Sequence, residues 1–123
     1  MKRVLSPHVD IYKFPITALS SISTRLSGLY LTGGFVGFGT CCLLNIDCIK
    51  YYNSLENYKK RLLNYSFIIP TTYHTYGGIR HLIWDKYPYL LTNNKVAQSS
   101  YFLYGMTLGS SVLIENYLNI YDE

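Results

Sequence analysis

The chain has 123 residues, enough for one domain, with only 15% of them charged and a net charge of +4. Lys, Arg, Asp and Glu are missing from Leu26 to Ile46, from Leu62 to Ile79 and from Val96 to Ile114, together 58 residues. The polar remainder is too small to wrap a water-soluble core, and the scattered basic residues, with no aromatic-interleaved basic run, argue against nucleic-acid binding.

Residues 1–17 form a polar arm containing Pro7 and Pro15, expected to lie irregular on a partner or on the membrane surface. Lys2 and Arg3 are followed by only Val4 and Leu5 before Ser6, which is neither a signal-peptide core nor an Arg/Ser-rich transit pattern; the expectation is either a presequence already removed or insertion without one. A bilayer core about 30 Å thick needs roughly 20 apolar helical residues. A first span is therefore expected over about 18–46. Its Gly33 and Gly37 make a small-xxx-small pair that lets another helix approach. Cys41, Cys42 and Cys48 form no CxxC pair and read as buried, reduced thiols. A polar connection, 47–61, ends in Lys59, Lys60 and Arg61. The second span, about 62–84, contains Pro70, which removes a backbone donor and should kink it. After the connection from Asp85 to Lys95 comes a third span, about 96–115, and an acidic tail, 116–123, with Glu115 at its border. Tyr51, Tyr52, Tyr58, Tyr65, Tyr87 and Tyr89 flank the spans as interfacial aromatics do.

The expected fold is thus all-α: an integral membrane domain of three transmembrane helices, 18–115, preceded by a polar arm. Seven Lys and Arg fall on the side of the N-terminus and four on the other. The positive-inside rule then places the N-terminus on the matrix or cytoplasmic side. Three short spans without an inverted repeat do not suit a transporter.

His74 lies deep in the second span, about 9 Å of helix below Arg80. An imidazole there needs a hydrogen-bond partner, a metal or a proton-relay task. His74, Gly78, His81 and Asp85 fall at i, i+4, i+7 and i+11, on one helical face. A haem edge-on to this stripe would place iron at His74 and its propionates toward Arg25, Arg80 and His81. The remaining histidines are His8, in the arm, and His81, on the same helix. A second axial ligand would have to come from another polypeptide. In Ser20–Gly28, Ser21 and Arg25 share a face, where a hydroxyl and a guanidinium suit a carbonyl ligand; the alternative is a capped helix start with a snorkelling Arg.

Together, "LSPHVDIY" (5–12), "SSISTRLSG" (20–28) and "YHTYGGIRHLIWD" (73–85) resemble the large cytochrome b membrane-anchor subunit of succinate dehydrogenase, respiratory complex II. The resemblance covers roughly residues 5–115. It implies half of a two-subunit helical anchor bundle in the mitochondrial inner membrane, or in a bacterial plasma membrane. The other half is a small cytochrome b anchor subunit, and the pair holds an iron–sulphur subunit and a flavoprotein subunit on the lipid. It implies haem b between the two anchors, with His74 as axial ligand to the iron and Arg25 and His81 near the propionates. It further implies a ubiquinone-reduction site to which Ser21, Arg25 and Asp85 contribute. The family usually carries His just before the motif Arg, where this chain has Thr24. Haem retained through His74 with altered propionate contacts is the expectation. The alternatives are a purely structural anchor and a quinol:fumarate reductase anchor. With no dinucleotide fingerprint and no cluster cysteines, the chain is not expected to oxidise succinate by itself.

Overall fold

A computed structural model describes residues 13–121, and within them every regular element is helical. The elements are α1 (Ile16–Leu43), α2 (Cys48–Asn53), α3 (Asn57–Lys86) and α4 (Asn93–Tyr121), with a single 3-10 turn, Pro88–Leu90, between the last two. The arm before residue 13, with His8, lies outside the described residues.

Helix α1 begins directly after Pro15, whose carbonyl takes the first two N–H bonds, from Ala18 and Leu19. It ends at Leu43, ahead of the Ile46 at which its charge-free run stops. The cause is Asn45, which adopts a left-handed backbone with φ 56°. The Asn45 N–H then donates to the Cys42 carbonyl and the Ile46 N–H to the Cys41 carbonyl, so the last turn closes on itself. The connection expected to be merely polar holds α2, capped by Asp47, which accepts from the Lys50 N–H at 2.9 Å. Pro70 sits inside α3 without interrupting it. Its missing N–H leaves the Ser66 carbonyl without its usual helical donor.

At about 1.5 Å per residue the three long helices reach about 40–45 Å each, more than a bilayer core. By length and composition α1 is the one described helix apolar enough to cross a membrane. Helices α3 and α4 match it in length but carry many Tyr, Thr, Ser, Asn and His residues.

The three long helices pack on one another, α1 antiparallel to α3 and α3 antiparallel to α4. Their shared interior is polar. Ser20, Ser27, Arg80, Ser100, Thr107, Ser111 and Glu115 are buried, while Tyr73 and Leu103 are the buried hydrophobic residues. Ser100, Leu103, Thr107, Ser111 and Glu115 recur every three or four positions, one face of α4. Large apolar side chains point outward instead, among them Phe35, Val36, Phe102, Leu108 and Leu113. Cross-helix hydroxyl bonds tie the interior: Thr72 to Ser111 at 3.1 Å, Ser23 to Tyr104 at 3.0 Å, and the Tyr73 hydroxyl to the Ser20 carbonyl at 3.2 Å.

Three further features depart from the sequence reading. Helix α4 continues past Glu115 to Tyr121, and Glu115 belongs to its interior face: it is fully buried, 3.8 Å from the Arg61 Nε. The cysteines are free, but Cys42 is exposed and Cys41 and Cys48 only half-buried, because that end of α1 has few neighbours. A hydrogen bond with Cys41 pushes the Cys48 thiol above its ordinary range, which favours the protonated, unreactive form. Finally, α1 takes in Ile16 and Thr17, which the arm was expected to hold.

Candidate functional site

The site is built where the first half of α1 meets the second half of α3. Small residues set that approach. A Cβ on Gly28 would lie 2.7 Å from the His74 Cε1, and one on Gly77 would lie 3.1 Å from the Thr24 side chain. Gly34 is similarly covered by Phe67. These contacts put residue 28 of one helix opposite 74 of the other and 24 opposite 77. The same antiparallel register brings Ser21 to the level of Arg80 and His81.

The His74 ring sits in the notch that Gly28 leaves open, its Cε1 edge nearest. Its Nδ1 is 3.1 Å from the Thr24 carbonyl oxygen and 3.3 Å from the Ser27 Oγ. A carbonyl can only accept, so Nδ1 carries the proton and donates it. Ser27 donates its own hydroxyl to that same carbonyl at 2.8 Å, leaving its oxygen free to accept from His74. In the neutral ring Nε2 then keeps its lone pair, and among the described residues nothing bonds to it. An imidazole oriented through Nδ1 by a backbone carbonyl, with Nε2 free, is the arrangement of a metal-ligating histidine. His74 keeps an exposed edge within this chain.

Gly78, His81 and Asp85 continue outward along the same face of α3, all exposed. Nothing lies within 4 Å of a Cβ built on Gly78, so the face next to His74 is open. His81 meets the ring of Trp84 edge-on, with centroids 5.3 Å apart. On α1, Arg25 is exposed and Ser21 half-buried. Among the described residues neither side chain makes a hydrogen bond or ion pair, nor does Asp85.

Arg80 departs from the grouping the sequence suggested. It lies six residues from His74, about 240° around the helix, and turns to α4. There it is buried at 8% exposure, donates from Nη1 to the Ser100 Oγ at 3.1 Å and stacks on Trp84 at 4.5 Å. The structure therefore brings His74, His81 and Asp85 onto one open face beside Ser21 and Arg25, and takes Arg80 off it.

Thr24 has a different part from that of a propionate donor. Its hydroxyl donates to the Ser20 carbonyl at 3.0 Å, its side chain packs on Gly77, and its own carbonyl anchors His74. Sequence reasoning missed this part, and with it Gly28 and Ser27. The available signal was that 24, 27 and 28 share one face of α1, with small residues at two of the three positions.

Gly28→Ala tests the notch without touching any polar group. The new methyl must push the His74 ring aside and stretch its bond to Thr24. If His74 ligates a metal, affinity for it should fall about tenfold, the scale of losing a ligand's orienting partner. Pigment content per complex measures this, and an unchanged content would mean that the notch does not orient the ring.

Comparison with known proteins agrees with the motifs. The family model for the succinate dehydrogenase/fumarate reductase transmembrane subunit matches residues 1–114. The chain is similar to the mitochondrial succinate dehydrogenase cytochrome b560 subunit of Dictyostelium discoideum, 38% identical over 85 residues, which are 66% of this chain and 44% of that protein. It is similar to the corresponding subunit of Bos taurus, 33% identical over 120 residues, 91% of this chain and 69% of that protein. It is also similar to the cytochrome b560 subunit of Cyanidium caldarium, 34% identical over 108 residues, 80% of each. Against the Dictyostelium discoideum and Sus scrofa relatives the chain spans about half their length, 44% and 53%.

Proposed function

Since the chain belongs to the succinate dehydrogenase/fumarate reductase transmembrane-subunit family, we propose that it is the large cytochrome b anchor of a succinate:ubiquinone oxidoreductase. In this reading α1, α3 and α4 all cross the mitochondrial inner membrane, with the N-terminus on the matrix side. The inside-out burial supports it: hydroxyls and a paired charge fill the interior while Leu, Phe and Val face outward. In lipid, helices gain from close packing and interhelical hydrogen bonds, and outward apolar side chains cost nothing.

The observation that carries the proposal is the His74 ring, held by Nδ1 with Nε2 free on an open face. The residues present fit a haem b. His74 would bind the iron through Nε2, Arg25 and His81 would neutralise propionates, and the small anchor subunit would supply a further ligand. Haem b, when bound, supplies a one-electron store beside the quinone site.

Ubiquinone takes up two electrons and two protons to become the quinol. Ser21 and Arg25 would each donate a hydrogen bond to a quinone carbonyl, holding the head group and favouring charge that builds on its oxygen. Asp85, exposed at the rim, would pass protons from water. Electrons would arrive from the flavoprotein subunit through the iron–sulphur subunit, both docked on this end of the bundle.

A tag on this chain tests the assignment. Purification from mitochondrial membranes in mild detergent should recover flavin, iron–sulphur signals and protohaem in one assembly. Recovery of the chain without them would refute it.

A further inference from the structure

We propose that the groove between α3 and α4 on the side away from His74 is a binding site for an anionic phospholipid. The inference rests on the membrane-spanning reading above and goes beyond it. The groove encloses a cavity of about 350 Å³. Its inner walls are Tyr76, Ile79, Phe102, Leu103 and Met106, toward the middle of both helices. Its outer end carries Arg80, Trp84 and Lys95, beside the connection that holds Tyr87 and Tyr89.

Arg80 is the observation that points to a ligand. It is more than nine-tenths buried, lines the cavity, and its Nε has no hydrogen-bond partner among the described residues. Ser100 takes one of its five N–H donors, and the stacking on Trp84 takes none. A guanidinium so placed is costly unless an acceptor enters the groove. Lys95 adds a second cation at the mouth, its Nζ 5.5 Å from the Tyr89 ring. Two cations at one end and an apolar trough at the other match a phosphate headgroup with an acyl chain. Basic pockets between spans on the matrix or cytoplasmic side take such lipids. A neutral quinone gives two cations nothing to neutralise, and a peptide would leave its backbone unpaired along the apolar wall.

The test uses the whole complex in phosphatidylcholine nanodiscs doped with spin-labelled phosphatidylglycerol or spin-labelled phosphatidylcholine. The fraction of label immobilised is read by electron paramagnetic resonance. The native complex should favour phosphatidylglycerol about fivefold, the scale of one basic side chain near the bilayer surface. Lys95→Glu, at an exposed position, should abolish the preference. Met106→Trp, which fills the trough, should release both labels. Equal immobilisation of the two lipids, a preference unaltered in both variants, or release of the label by short-chain ubiquinone would overturn the proposal. The visible spectrum of the same discs separates the two readings. A complex with its b-type band but no lipid preference sinks only this inference, and a chain absent from the discs sinks both.

Discussion

His74→Ala should abolish the b-type haem band of the assembled complex. The side chain is bonded through Nδ1 to the Thr24 carbonyl and Ser27, and Nε2 is the one nitrogen free to ligate. Removing the ring would take away the proposed ligand and leave an opening against Gly28. Loss of a ligand exceeds the tenfold or so expected from misorienting it with Gly28→Ala, so haem affinity should drop by about 100-fold or more. Protohaem per complex is the measurement. Added imidazole should restore part of the band, because a free ring can occupy the vacated space. A band retained at full height in His74→Ala would mean that the iron is held elsewhere. The Thr24 departure sharpens the expectation. Its side chain is engaged with Ser20 and Gly77, so propionate charge would fall to Arg25 and His81, and either substitution should shift the haem potential.

Arg25→Ala should cut kcat/KM for ubiquinone about 10- to 100-fold. A hydrogen bond from a charged donor contributes about 1.5–3 kcal/mol, and Arg25 meets no side-chain partner among the described residues. Ser21→Ala should cost about 2- to 10-fold, as for a neutral donor. Succinate oxidation by a dye that accepts electrons ahead of the quinone should be unchanged in both. That contrast separates a quinone role from a failure of assembly. Arg25 is assigned toward both the quinone and the propionates, and the two parts come apart by readout. The quinone part lowers ubiquinone turnover, and the propionate part moves the potential. Full quinone activity in the double variant would favour a purely structural anchor.

What the sequence left open follows from what a linear pattern omits. A run without charges was read as a run fit for lipid. Helices α3 and α4 are uncharged over much of their length, yet rich in hydroxyls, and among the described helices only α1 is apolar enough by length and composition to cross a membrane. Some of these hydroxyls turn inward: Thr72 of α3 meets Ser111 of α4, Tyr104 of α4 meets Ser23 of α1, and Ser100 accepts from Arg80. Arg80 illustrates the same gap. Sitting beside His81 in the chain, it was grouped with the His74 stripe, whereas the helical turn sends it to α4. Glu115, read as the border of an acidic tail, faces the interior because it continues the spacing of Ser100, Thr107 and Ser111.

Several properties follow from the order of residues alone. These are the membership of a family through the Arg25 and His74–Asp85 motifs, the helical character of the chain, and the common face of His74, Gly78, His81 and Asp85. Such features depend on local spacing and on the fixed pitch of a helix, so a string of letters carries them. Tertiary structure decided the rest: that His74 beds in the Gly28 notch with Nδ1 committed to Thr24, that Arg80 lines a separate groove, and that polar side chains fill the interior. Those outcomes depend on which faces of distant helices meet and in what register. Close approach at a few glycines sets that register, and nothing in the local sequence encodes it.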